Sequence, residues 1–213
     1  MNRLFILSCA ALALACLAGC AALSGKHSSF AVYSPQPSMP APSAQQEARS
    51  WQLLIDLPQA SAALDTTRIA VMPAPGVLQV YADARWSDPA PALLRSLIVR
   101  AFGSDGRVSG VSATDTGLRG DYSLAIELHD FQMEVTDGSP QAAIRLSAKL
   151  YQRSSNRIVA SRSFSAQAVA PDTGVASLLP AFEGALADLL RELVDWTIAQ
   201  GDARESGMEN GES

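Results

Sequence analysis

The stretch DYSLAIELHDFQMEV, residues 121–135, reads as one long β-strand with a fault in it. Leu124, Ile126 and Leu128 hold one face, whereas Phe131, Met133 and Val135 fall on the opposite parity. Side chains of a strand alternate between faces, so a change of parity needs one extra residue, a β-bulge near His129-Asp130. Asp137-Gly138 offers a tight turn. Beyond it Ala142, Ile144, Leu146, Ala148 and Leu150 alternate with Ala143, Arg145, Ser147, Lys149 and Tyr151, a strand with one wet face. Ser154-Ser155-Asn156 then turns the chain into a further strand over 157–169. Long antiparallel strands in succession are the frame of the expected sheet.

Working outward, residues 175–193 change period. Val175, Leu178, Leu179, Phe182, Leu186, Leu189, Leu190 and Leu193 form the stripe of a long amphipathic helix, expected to end near Gly201. On the other side, residues 51–57, 68–72 and 77–84 read as strands, with Pro73-Ala74-Pro75-Gly76 closing the second. Ser87 or Asp88 is expected to cap a helix with Pro89 in its first turn. Leu93, Leu94, Leu97, Ile98, Ala101 and Phe102 supply its apolar face, and Gly103 stops it. Gly106 and Gly110 read as loop. Strands, helix, strands and a closing helix define an α/β fold, a mixed and partly antiparallel sheet with helices packed on it.

The N-terminus carries a different signal. Arg3 starts a short basic region, residues 4–17 are apolar or small, and Leu17-Ala18-Gly19-Cys20 closes the run. That is a secretory signal, too short for a stable membrane-spanning helix, and its ending resembles a bacterial lipobox. The expected organisation is a signal peptide over 1–19, a lipidated Cys20 with a Pro- and Ser-rich tether over 20–50, one domain over 51–201 and a disordered acidic tail over 202–213. Phe30-Ala31-Val32-Tyr33 could pair as a short edge strand within the tether. Ala21 stands where inner-membrane retention signals usually carry Asp, which favours the outer membrane. A flexible tether of ~30 residues has a root-mean-square span of roughly 30 Å.

Composition narrows the function further. Cys9 and Cys16 leave with the signal and Cys20 becomes a thioether, so the mature chain has no free thiol for a disulfide or a metal. Losing Arg3 takes the formal charge from -5 to -6, against nucleic acid as a partner. The two remaining chemistry-bearing side chains are His27, in the tether, and His129, at the suspected bulge. His129-Asp130 could orient a general base, but no serine lies in a recognisable nucleophile elbow. Glu127, Asp130 and Glu134 read as the solvent side of a strand. No zinc motif or Walker spacing is present, so no catalytic residue, metal or cofactor is expected. The more suggestive cluster is Tyr81, Arg85 and Trp86 at the mouth of the first helix. These are residue types enriched in binding hot spots, although Trp86 could equally staple the helix start to the sheet.

On these residues the chain resembles the ABC-type transport auxiliary lipoprotein family. The resemblance runs through Arg68-Ile69-Ala70-Val71 with Pro73 and Pro75-Gly76, Val80-Tyr81, and Ala84-Arg85-Trp86 with Pro89. It continues at Asp121-Tyr122, Leu124, Leu128, Asp130-Phe131, Ala148-Lys149-Leu150, Ala160-Ser161-Arg162, Phe164, Ala181-Phe182 and Trp196. It implies a fold similar to the TolB N-terminal, anticodon-binding-domain-like class. It also implies work beside an ABC permease, an ATPase and an MCE-type substrate-binding protein that move lipids between two membranes. The expected function is therefore a periplasm-facing, lipid-anchored docking component rather than an enzyme, with a homo-oligomer conceivable. A lipid-binding carrier, with a cavity of several hundred Å³ between helix and sheet, is the alternative, and an envelope hydrolase built on His129 a third.

Overall fold

The computed structural model describes residues 29–39 and 48–209. Its elements are β1 (Ala31–Tyr33), β2 (Arg49–Ile55), β3 (Gln59–Ala60), β4 (Arg68–Ala74), β5 (Val77–Trp86), α1 (Ala90–Asp105), β6 (Val108–Ala113), β7 (Tyr122–Thr136), β8 (Ser139–Gln152), β9 (Arg157–Val169) and α2 (Val175–Glu209). This is the expected mixed α/β architecture. β7 is its axis. One edge of β7 pairs antiparallel with β8 along its whole length, and β8 pairs likewise with β9. The other edge is shared in series by three parallel strands: β2 at residues 122–124, β3 at 127–128 and β4 at 132–134. Past β2 lies parallel β6, and past β4 lie antiparallel β5 and then parallel β1.

The bulge is where the parity change put it: the β7–β8 register shifts between Leu128 and Asp130. Leu124, Ile126 and Leu128 on one side of it, and Phe131 and Met133 on the other, are all buried. The one-residue insertion lets both halves face one core. Asp137 (φ 51°) and Gly138 (φ 77°) both take the left-handed conformation that a two-residue hairpin loop requires.

Both helices cover the inner face. In α2 the buried set Leu178, Phe182, Leu186, Leu189, Leu190 and Leu193 is almost solvent-free, a stripe at three- and four-residue steps. Asp172 precedes the helix, accepting from the Gly174 N–H at 2.7 Å and the Ser177 hydroxyl at 2.8 Å. Those bonds hold the Asp172 carboxyl below its ordinary range, the Gly174 N–H contributing most.

Four expectations are corrected. The N-cap of α1 is Pro89, with no side-chain capping bond, rather than Ser87 or Asp88. The helix also runs past Gly103 to end at Gly106, whose φ of 74° lets its N–H reach back to the Phe102 carbonyl. Gly110, read as loop, lies within strand β6. Finally, α2 does not stop at Gly201 but continues to Glu209. Residues 31–33 do form an edge strand, opposite Ala84, Arg85 and Trp86 of β5.

Gly201 has a packing role instead. A Cβ built there would lie 2.7 Å from Cζ2 of the Trp51 indole and 3.0 Å from its Cε2, closer than side-chain carbons approach. Trp51 is itself only 4% exposed, edge-on to Tyr122, with its Nε1–H bonded to Asp202. Gly201→Ala is therefore expected to destabilise the fold by roughly 1–3 kcal/mol through overpacking, although alanine is the better helix former. Urea denaturation checks this. A stability equal to or above that of the parent chain would show that the helix does not press on Trp51.

Candidate docking surface

The three residues singled out at the β5–α1 corner divide by burial. Trp86 is 2% exposed. Its ring meets Phe131 at 5.5 Å and Phe182 at 5.1 Å, both edge-on, and Phe131 and Phe182 are 5.1 Å apart. Its backbone N–H donates to the Thr67 carbonyl, while its buried indole N–H finds no acceptor. Trp86 thus ties β5, β7 and α2 together and offers a partner no surface. Its ring contacts run to β7 and to α2 rather than to the start of α1.

Tyr81 is half-buried. Its hydroxyl donates to the Thr173 carbonyl at 2.6 Å and lies 3.0 Å from the Met133 sulfur. Burial pushes this phenol up to about 12, with the Asp172 carboxylate adding to the shift, so Tyr81 stays a neutral donor. Arg85 folds back along its own strand and donates from Nη1 to the carbonyls of Tyr81, Ala82 and Ala84 at 2.8, 3.2 and 2.6 Å. The guanidinium therefore satisfies acceptors on the β5 edge just before β1 takes over the pairing at Ala84. Tyr81 and Arg85 remain at the surface as a braced edge. Cys20 lies outside the described residues.

The outer face of β7, β8 and β9 is polar, and its charges are paired. Arg145 grips Glu134 with both terminal nitrogens at 2.7 and 2.9 Å and reaches Asp130 at 3.0 Å. Gln132 donates to the same two carboxylates. Arg145 holds the Glu134 carboxyl below its ordinary range. Lys149 meets Glu127 at 2.7 Å and does the same there.

His129 lies within this face. Because the bulge places two successive residues on one side, Asp130 turns to Arg145 while His129 Nε2 contacts the Ser147 hydroxyl at 2.9 Å. Ser147 is in turn 3.1 Å from Ser163. A histidine beside a serine supplies two of the three members of a hydrolytic triad, but the neighbouring Asp130 is spent on Arg145 and Gln132. Ser147 also sits in a strand paired on both sides, where backbone N–H groups serve the ladder instead of a developing oxyanion. The arrangement can bridge three strands by hydrogen bonds; it does not present a nucleophile elbow.

Two places in the fold bear on lipid carriage, one open and one filled. An open cleft of ≈ 900 Å³ lies at the start of β7, lined by Trp51, Arg119, Asp121, Arg153 and Glu205 among others. Its lining is charged and polar, unlike the apolar pocket that acyl chains need. Glu205 in its lining accepts from the Tyr122 hydroxyl at 2.6 Å. The seam between α2 and the sheet, where a carrier would hold its cargo, is filled by the leucine and phenylalanine stripe.

A mixed sheet roofed by helices on one face, with a paired polar face opposite, defines a domain of mixed α/β class. No helix among the described residues is long and apolar enough to cross a membrane. The chain belongs to the ABC-type transport auxiliary lipoprotein component family, whose model matches residues 33–194. It is similar to an uncharacterized protein, bll6063, of Bradyrhizobium diazoefficiens, with 31% identity over 150 residues, 70% of this chain and 40% of that one. The chain thus spans about two fifths of that relative. Among solved structures, protein XCC0632 from Xanthomonas campestris matches at 37% identity with a TM-score of 0.76, covering 83% of this chain and 99% of that one. A second, an uncharacterized protein at 14% identity and a TM-score of 0.60, covers 78% of this chain and 97% of its own and shares the fold.

Proposed function

We propose that the protein is a non-catalytic auxiliary component of an ABC transport system of the MCE type that moves lipid across the periplasm. It is anchored in the outer membrane by acyl chains on Cys20 and faces the periplasm. The observation that carries this reading is the filled seam between α2 and the sheet. With the core of the described residues filled by its own side chains, the protein acts on the transport system by contact. The family membership and the lipobox ending at Cys20 support the anchor and the transporter association. With Trp86 inside the core, docking falls to the surface of β5 at Tyr81 and Arg85, residue types enriched in binding hot spots. Anchoring at the membrane raises the effective concentration of that surface near its partner without new contacts.

The test is a pull-down from solubilised envelopes through a carboxy-terminal tag, read for protein and for lipid. Recovery of an MCE-type protein with its permease is the expected result. Stoichiometric phospholipid with no such partner would overturn the docking role in favour of a carrier.

A further inference from the structure

The β4–β5 hairpin carries a feature that docking does not use. From Ile69 to Ala82 the chain holds no charged side chain, fourteen residues between Arg68 and Asp83. Residues 73–80 are all exposed, and Gln79 is the one polar side chain among them. Val77, Leu78 and Val80 are 44%, 45% and 40% exposed. Pro75-Gly76, with Gly76 at φ 76°, makes a rigid turn at the tip. β4 meets β7 only as far as Met72, opposite Glu134, so the tip stands beyond that pairing, with Leu78 and Val80 bordering an open groove beside Ala62 and Ala63.

The direction of β1 says what lies at that end. It runs parallel to β5, with Ala31 opposite Ala84, so the chain enters β1 from the side on which β5 begins. Ala31 stands eleven positions after Cys20, a reach of at most ~40 Å when extended. From the level of Ala84 to the tip at Gly76 is eight residues of strand, roughly 27 Å. A bilayer holding the Cys20 acyl chains is therefore within reach of the tip.

We propose that the β4–β5 tip is a membrane-contact element, seating Val77, Leu78 and Val80 in the interfacial zone of the bilayer that carries the anchor. This rests on the anchor reading given above. An uncharged wedge of Val, Leu and Pro suits a lipid interface, whereas protein hot spots favour Trp, Tyr and Arg. The same end carries Asp137 and Asp172, and the mature chain is acidic. The contact is therefore apolar, needs no anionic lipid, and is indifferent to salt. Two anchoring points also fix the orientation of the body, which one alone does not.

The experiment uses full-length, lipidated protein in phosphatidylcholine vesicles. With Cys20 acylated, Leu78→Cys introduces the one free thiol, which takes an environment-sensitive fluorophore. Leu118→Cys, 60% exposed in the β6–β7 connection at the far end of β7, is the reference. The expected result is a blue-shifted label at 78, quenched by lipid-borne nitroxides and shielded from aqueous iodide, with the label at 118 fully iodide-accessible. Protein that floats with vesicles while its label at 78 behaves like that at 118 overturns the tip contact and leaves the anchor standing. Protein that does not float overturns both. A label that becomes apolar only after a protein partner is added also sinks the proposal.

Discussion

Trp86→Ala is expected to cost about 3–5 kcal/mol of folding stability, the range for removing a large aromatic from a packed core. The indole joins β5 to Phe131 on β7 and Phe182 on α2, so its loss opens a cavity where three elements meet. Domains of this size hold only about 5–15 kcal/mol in total, so the variant should lie near the edge of folding. Trp86→Phe separates packing from any docking role. It keeps a ring against Phe131 and Phe182 and removes an indole N–H buried without an acceptor, a group that costs roughly 1–3 kcal/mol to leave unpaired. The phenylalanine variant should therefore stay within about 1–2 kcal/mol of the parent in urea denaturation and retain partner recovery in the pull-down. Full stability in Trp86→Phe with loss of the partner would return Trp86 to the docking surface.

The same corner shows where sequence reading stops. Tyr81, Arg85 and Trp86 are residue types that serve equally at interfaces and in cores, and a strand's parity alone does not say which neighbour arrives to cover it. Trp86 is covered by Phe182, which lies 96 residues further on in sequence. The bulge at His129 was legible because it acts on parity, a purely local property that fifteen residues suffice to reveal. The stripe of α2 was legible for the same reason.

Strand β6 was not. Its sequence VSGVSA has no apolar run, and it is a strand because the β2 backbone offers a parallel edge for it. Gly110 sits so close to β2 that an added Cβ would lie 2.8 Å from Gln52 Cγ. The three glycines Gly103, Gly106 and Gly201 make the point from another side. Gly103 has open space around it and is carried inside the helix, Gly106 supplies the left-handed turn that ends it, and Gly201 makes room for Trp51. One residue type serves three purposes, and local sequence does not rank them.

Cys20→Ala should release the protein from the membrane altogether, the largest functional effect expected of any single substitution here. Each buried methylene contributes about 0.8 kcal/mol to membrane partitioning, so several acyl chains on Cys20 outweigh any side-chain contact the body can make. The β4–β5 tip, with three aliphatic side chains that are already partly covered, is too small to hold the protein alone. The unacylated chain should therefore appear in the soluble periplasmic fraction with its fold intact, because the mutation lies eleven residues before β1. Fractionation with a carboxy-terminal tag reads the outcome directly. Thermal unfolding of the released protein should match that of the detergent-solubilised parent. If Cys20→Ala protein stays with the outer membrane after a salt wash, the anchor is elsewhere, and the geometry linking the tip to the bilayer loses its starting point. If it is released but still recovers its transport partner in solution, docking and anchoring are separable, and the lipid serves to raise local concentration instead of shaping the docking surface.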